Sequence, residues 1–163
     1  MKNEMEIIFD AVSENESFAR VAVAAFIAHL NPTVEEMADI KTAVSEAVTN
    51  SIIHGYENTG NCTGTVESPG SESGRTVPSG KVRIHCVLVN DMLHIEVIDE
   101  GRGIADVEQA MEPLFTTRPE LERSGMGFAF MEAFMDDLEV ESTVGKGTKV
   151  HMIKKIGMGE WIS

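Results

Sequence analysis

Residues 80–104 read GKVRIHCVLVNDMLHIEVIDEGRGI, and this stretch decides the fold. Val82, Ile84, Cys86 and Leu88 alternate with more polar residues, and so do Leu93, Ile95 and Val97. A period of two is that of a strand with one buried face. Asn90-Asp91, between the two runs, is a good hairpin turn, because short polar side chains tolerate the tight backbone. The stretch therefore predicts two antiparallel strands. Asp99 stands at the exit of the second, with Gly101 and Gly103 just beyond it.

Working outward, residues 5–9 (MEIIF) read as a short strand. Ser13 and Glu16 have capping-box spacing, in which a hydroxyl accepts a backbone N–H and the glutamate reaches back. Phe18, Val21, Ala22, Ala25 and Phe26 then recur at helical spacing, which predicts a helix to about Leu30. Thr33 with Glu36 makes a second box. Met37, Ile40, Val44, Ala47, Val48 and Ile52 line one face of a second helix, which ends near His54-Gly55. Residues 57–80 differ: fifteen of these 24 are Gly, Ser, Thr or Pro. With no hydrophobic period, they read as a long exposed, mobile loop inserted in the domain. Beyond Ile104 comes a Pro-containing stretch, 105–123. Gly125 to Gly127 then open an apolar helix with Phe128, Met131, Phe134 and Met135. Residues 138–142 and 148–155 form a last hairpin. This order predicts an α+β fold, a two-layer sandwich with helices on one face of a mixed or antiparallel sheet. It spans one domain, residues 1–156, followed by a tail at 157–163.

The 163 residues suffice for one core, and 42% hydrophobic with 25% charged is globular composition. A net charge of −14 argues against direct nucleic-acid binding, which needs lysine and arginine to displace counterions. Cys62 and Cys86 have neither zinc-site spacing nor the number for a disulfide framework. No run is long and apolar enough for a membrane span, and the charged N-terminus is not a signal peptide. The expected location is the cytoplasm.

Four motifs carry chemistry. Glu46 and Asn50 are four apart, so they project from one helix face. An amide oxygen there can hold a hydrated Mg²⁺ when phosphates supply other ligands. Asp99 leaves an apolar strand where its carboxylate can accept a hydrogen bond from an amino group such as that of adenine. The glycines after it allow close approach of a ligand. Ser124-Gly125-Met126-Gly127-Phe128 opens a helix, whose free N–H groups and dipole favour phosphate. Gly145-Lys146-Gly147-Thr148 looks like part of a P-loop. However, Val140 stands where the first glycine belongs and a strand follows, so it reads as a hairpin turn with Thr148 as a pocket hydroxyl. Alone, the first two are better read as a solvated helix surface and an ordinary strand-to-loop turn, and the third also reads as a flexible helix start.

Their order is the stronger signal. E-x-x-x-N on a helix, then D-x-G-x-G, then G-x-G opening a helix, then G-x-G-T, resembles the Bergerat ATP-binding fold of the GHKL superfamily. Within it, the stretches MKNEM, SENESFARV, VSEAVTN, IIHGY, LFTTRPELERSGMGF and FMD resemble the anti-sigma-F family, serine protein kinases of spore-forming bacteria. The resemblance runs from Met1 to about Lys155, and the long 57–80 stretch departs from it. It implies Glu46 as general base and Asn50 as Mg²⁺ ligand. Asp99, with Thr148 nearby, would recognise adenine, and Gly101, Gly103 and Ile104 would shape that side. Residues 111–123, including Thr116, Thr117 and Arg123, would form an ATP lid. Ser124, Gly125, Met126, Gly127 and Phe128 would cradle the phosphates of ATP or ADP. Arg20 would contact both the sigma factor and the anti-anti-sigma factor that is phosphorylated on serine. A homodimer is implied as well. Two alternatives are a binding module in which ATP sets conformation without transfer, and a histidine-kinase-like ATPase domain. A binding module needs no base, which Glu46 supplies. A histidine kinase needs a dimerisation helix with a phosphorylatable histidine, for which the chain is too short.

Overall fold

A computed structural model describes residues 1–57, 80–112 and 127–157. The stretch 58–79, the lid residues Thr116, Thr117 and Arg123, the loop residues Ser124, Gly125 and Met126, and the tail from 158 lie outside them. Five strands form the sheet: β1 (Lys2–Asp10), β2 (Lys81–Val89), β3 (Met92–Asp99), β4 (Asp137–Thr143) and β5 (Gly147–Lys155). Their spatial order is β1-β2-β3-β5-β4, and all four pairings are antiparallel. Of the mixed and antiparallel sheets expected, the antiparallel one is present. Both hairpins, β2–β3 and β4–β5, join neighbours, and β1 and β5 also run antiparallel to the strands they flank. The turn at Asn90 adopts φ 55°, the left-handed conformation that Asn tolerates.

The helices are α1 (Asn15–Ile27), α2 (Val34–Asn50), the short α3 (Val107–Ala110) and α4 (Gly127–Phe134). A 3-10 turn, Ala28–Leu30, ends α1, and a π-helical turn, Ser51–Glu57, extends α2. The buried set of α2 is Ile40, Ala43, Val44, Ala47 and Val48, close to the expected stripe. These side chains share one core with Ile84, Ile95, Val97, Met131 and Met152. Lys154 is buried too. Its ammonium donates to the Phe134 carbonyl (2.7 Å) and pairs with Asp39 (3.6 Å), which ties β5 to α4 and α2.

Helix α1 departs from expectation twice. Its stripe is Ala19, Val23 and Ile27, whereas Phe18 and Val21 are 52% and 60% exposed. The helix is apolar nearly all round, so spacing alone does not select a face; packing on the sheet and α2 does. The Ser13 capping box is also absent. Glu14 occupies the cap position in a helical conformation, with no side-chain cap bond. The Asn15 amide instead donates to the Asp10 carbonyl at 2.9 Å, so β1 holds the start of the helix.

The second box forms as expected. Glu36 N–H donates to Thr33 Oγ1 (3.1 Å), and Thr33 N–H donates to Glu36 Oε2 (2.8 Å). Thr33→Ala is expected to cost about 1 kcal/mol. For a chain of this size that lowers Tm by roughly 2–4 °C, measurable by circular dichroism.

Candidate nucleotide site

The sites of three motifs meet where α2, the β3 exit and α4 converge. Asn50 is the last residue of α2 and Gly127 the first of α4. A Cβ on Gly127 would sit 3.0 Å from Asn50 Nδ2 and 3.2 Å from Glu46 Oε2. A side chain there would press on both groups, so the glycine keeps open the space in front of them. The spacing of Glu46 and Asn50 thus does what one helix face allows: an amide and a carboxylate meet at Gly127, the first described residue of another helix.

Beside them lies a cavity of about 420 Å³, within the range of small-molecule sites. Asn50, Asp99, Gly103, Ile104, Gly127, Phe128 and Thr148 all line it. Gly101 does not line it, and Arg20 lies elsewhere, on α1, with its guanidinium 3.6 Å from Glu16.

Asp99 is only 5% exposed. Its Oδ1 accepts the Gly101 N–H at 3.0 Å. The Ser51 hydroxyl and the Thr148 N–H also stabilise the carboxylate, but burial outweighs all three and raises its pKa above the ordinary value. A carboxylate held this way, at the wall of a cavity, is suited to accept one further hydrogen bond. Thr148 Oγ1 lies 2.8 Å from Ser142 Oγ, and Ser142 Oγ also accepts the Ile104 N–H (2.6 Å).

The two glycines of D-x-G-x-G serve the protein's own backbone. A Cβ on Gly101 would lie 2.3 Å from the Gly55 carbonyl oxygen, and one on Gly103 the same distance from that of Thr143. They allow the loop to wedge between the π-helical turn and the β4–β5 hairpin; the ligand-approach reading is thereby refined. Gly147 has φ 120°, and a Cβ there would lie 2.0 Å from the Asp99 carbonyl oxygen. The hairpin therefore closes on β3 only with glycine.

Sequence reasoning missed Ser51, His54, Gly55 and Arg102, which also line the cavity. The available signal was the run SIIHGY directly after Asn50, with a glycine inside a helical stretch. The π-helical turn is what carries Ser51 and Gly55 to Asp99. No group of three or more metal-ligating side chains occurs among the described residues. The Asn50 amide oxygen fits a metal whose other ligands are phosphate and water, with the open space at Gly127 before it.

Comparison with known proteins bears on this geometry. The family described as "Histidine kinase-like ATPase domain" matches residues 9–154. The chain is 52% identical to the anti-sigma F factor of Oceanobacillus iheyensis, covering 99% of both chains. The chain belongs to the anti-sigma F factor family. It is also 57% identical to the anti-sigma F factor of Thermoanaerobacter sp. strain X514, over 95% of each chain. The Clostridium acetobutylicum anti-sigma F factor is 54% identical over 98% of this chain and 99% of its own. A solved structure of the RsbU and RsbW domains of Rv1364c from Mycobacterium tuberculosis shares the fold, with a TM-score of 0.61. It is 19% identical and covers 94% of this chain and 32% of that one. This anti-sigma F family chain thus carries a kinase-like ATPase fold. No described helix is long and apolar enough to cross a membrane.

Proposed function

We propose that this anti-sigma F family member binds ATP with Mg²⁺ in the cavity, holds an F-type sigma factor in that state, and transfers the γ-phosphoryl group to a serine of an anti-anti-sigma factor. The observation that carries the reading is the convergence of Glu46 and Asn50 at Gly127: Asn50, Gly127 and Asp99 line the cavity, and Glu46 stands behind Gly127 without lining it.

In this reading Asp99 accepts the adenine amino group, with Thr148 beside it. Ile104 contacts the same end of the ligand, and Gly101 and Gly103 shape it. The N–H groups at Gly127 and Phe128 receive phosphate, with Ser124, Gly125 and Met126 as the rest of the cradle. Thr116, Thr117 and Arg123 belong to the lid. Asn50 would hold Mg²⁺, which would supply neutralisation of phosphate charge, and positioning by the chain's own groups provides most of the remaining acceleration. Glu46 takes the proton from the substrate serine as its oxygen bonds to the γ-phosphorus. The bond to the bridging oxygen breaks, and ADP leaves with that electron pair.

Arg20 is the proposed partner contact. The helix that carries it exposes Phe18 and Val21, and an arginine near exposed apolar side chains suits a protein interface. A homodimer in the cytoplasm completes the proposal. A binding module without transfer is the second reading, and a carboxylate beside the phosphate position disfavours it.

Incubation of the chain with γ-labelled ATP and an anti-anti-sigma protein, with and without sigma factor, tests the proposal. Label is expected on a serine of the anti-anti-sigma protein, and sigma capture is expected to need ATP. ATP-dependent capture with no transfer would leave the binding-module reading standing.

A further inference from the structure

Tyr56 stands next to last in the π-helical turn and is 9% exposed. Its hydroxyl donates to the Lys81 carbonyl (2.6 Å) and accepts the Glu100 N–H (2.8 Å). It therefore joins the start of β2 to the peptide that follows Asp99. Gly80 lies flat against the ring, where a Cβ would approach Cε1 to 2.3 Å. Burial, the largest cause, pushes the phenol pKa up, so the hydroxyl keeps its proton.

The two residues before Tyr56 extend the seam. The Gly55 carbonyl accepts the Arg102 N–H (3.0 Å), and the His54 carbonyl accepts from Arg102 Nε (2.9 Å). Gly55 also backs the Asp99 carboxylate, since a Cβ there would lie 3.1 Å from Oδ1. Three consecutive residues of the turn thus hold residues 100 and 102 while one of them abuts Asp99. The β2–β3 ladder already pairs Asp99 with Val82. The seam acts beyond the ladder, on the loop that orients the carboxylate.

We propose that Tyr56 is a positioning residue for base recognition: its hydroxyl anchors the peptide after Asp99 and so aims that carboxylate into the cavity. The inference rests on the reading of Asp99 as the acceptor for the adenine amino group. Tyr56→Phe keeps the ring and removes the anchor. Gly80→Ala displaces the ring from its other side and touches neither Asp99 nor the cavity.

The test uses the full chain and titration calorimetry with ATP and with ITP, which carries a carbonyl in place of the amino group. Wild type is expected to prefer ATP. Tyr56→Phe is expected to narrow that preference about tenfold, the order of one buried hydrogen bond left unmade, with ITP affinity little changed. Gly80→Ala is expected to narrow it in the same direction. Asp99→Asn separates the two levels. If it leaves the ATP-to-ITP ratio at the wild-type value, the adenine reading fails. If it abolishes the preference while Tyr56→Phe and Gly80→Ala keep the wild-type ratio and lose only thermal stability, Tyr56 is a structural residue and the proposal is overturned. Should Tyr56→Phe fail to fold, the Gly80→Ala ratio decides alone.

Discussion

Glu46→Gln is expected to lower serine phosphorylation of the anti-anti-sigma partner by about 10²–10⁴-fold, the usual worth of a positioned general base. ATP affinity is expected to stay at the wild-type value, because the amide is isosteric and Glu46 is not assigned to hold the nucleotide. The side chain lies against α4, with Oε2 3.2 Å from where a Gly127 Cβ would sit. That is beside the phosphate position in the proposed complex, and the fold holds it there through α2, whose opposite face is core. Single-turnover transfer from labelled ATP measures the chemical step, and calorimetry measures binding. Full transfer by the variant would remove Glu46 from the mechanism. Equal losses in binding and transfer would make it a nucleotide ligand instead.

Asp99→Asn is expected to weaken ATP binding about 10- to 100-fold, since hydrogen bonds to charged groups are worth about 1.5–3 kcal/mol. It has a second, opposite effect on the nucleotide-free protein. Burial raises the Asp99 pKa above 3.8 despite bonds from Gly101, Ser51 and Thr148. In the window between 3.8 and the folded value, the folded state binds more protons than the unfolded one. The stability contribution is therefore present at low pH and is lost as pH rises through the folded pKa. Above that window the ionised carboxylate costs stability. Urea midpoints of wild type and Asp99→Asn across that window measure this. The difference is expected to shift in favour of the variant as pH rises. A difference independent of pH would mean that Asp99 ionises as easily folded as unfolded.

Much of this was legible from local chemistry. The alternation in 82–88 and 93–97 maps onto the buried face of β2 and β3, because a strand's period of two leaves one choice of face once its neighbours are apolar. The α2 stripe was equally clear, since charged residues occupy its other side. In α1, by contrast, apolar residues surround the helix. Its buried face followed from the sheet and α2, which local spacing does not encode. Ser13 likewise matched a capping pattern, but Asp10 of β1 holds Asn15, and the helix starts one residue later than the pattern asks.

The site divides along the same line. The sequence by itself determined the chemistry: a carboxylate and an amide one helical turn apart, a strand-end aspartate, and glycines at a helix start. Each depends on residues a few positions apart, so the spacing contains the geometry. Only the tertiary structure decided that Gly101 and Gly103 make room for the backbones of Gly55 and Thr143. It also decided that Ser51, Gly55 and Tyr56 hold the Asp99 loop. Those contacts join residues some 40 or more positions apart and exist only once α2, β3 and the β4–β5 hairpin have packed together. Local propensity cannot express them, because the partner backbone is absent until the core has formed.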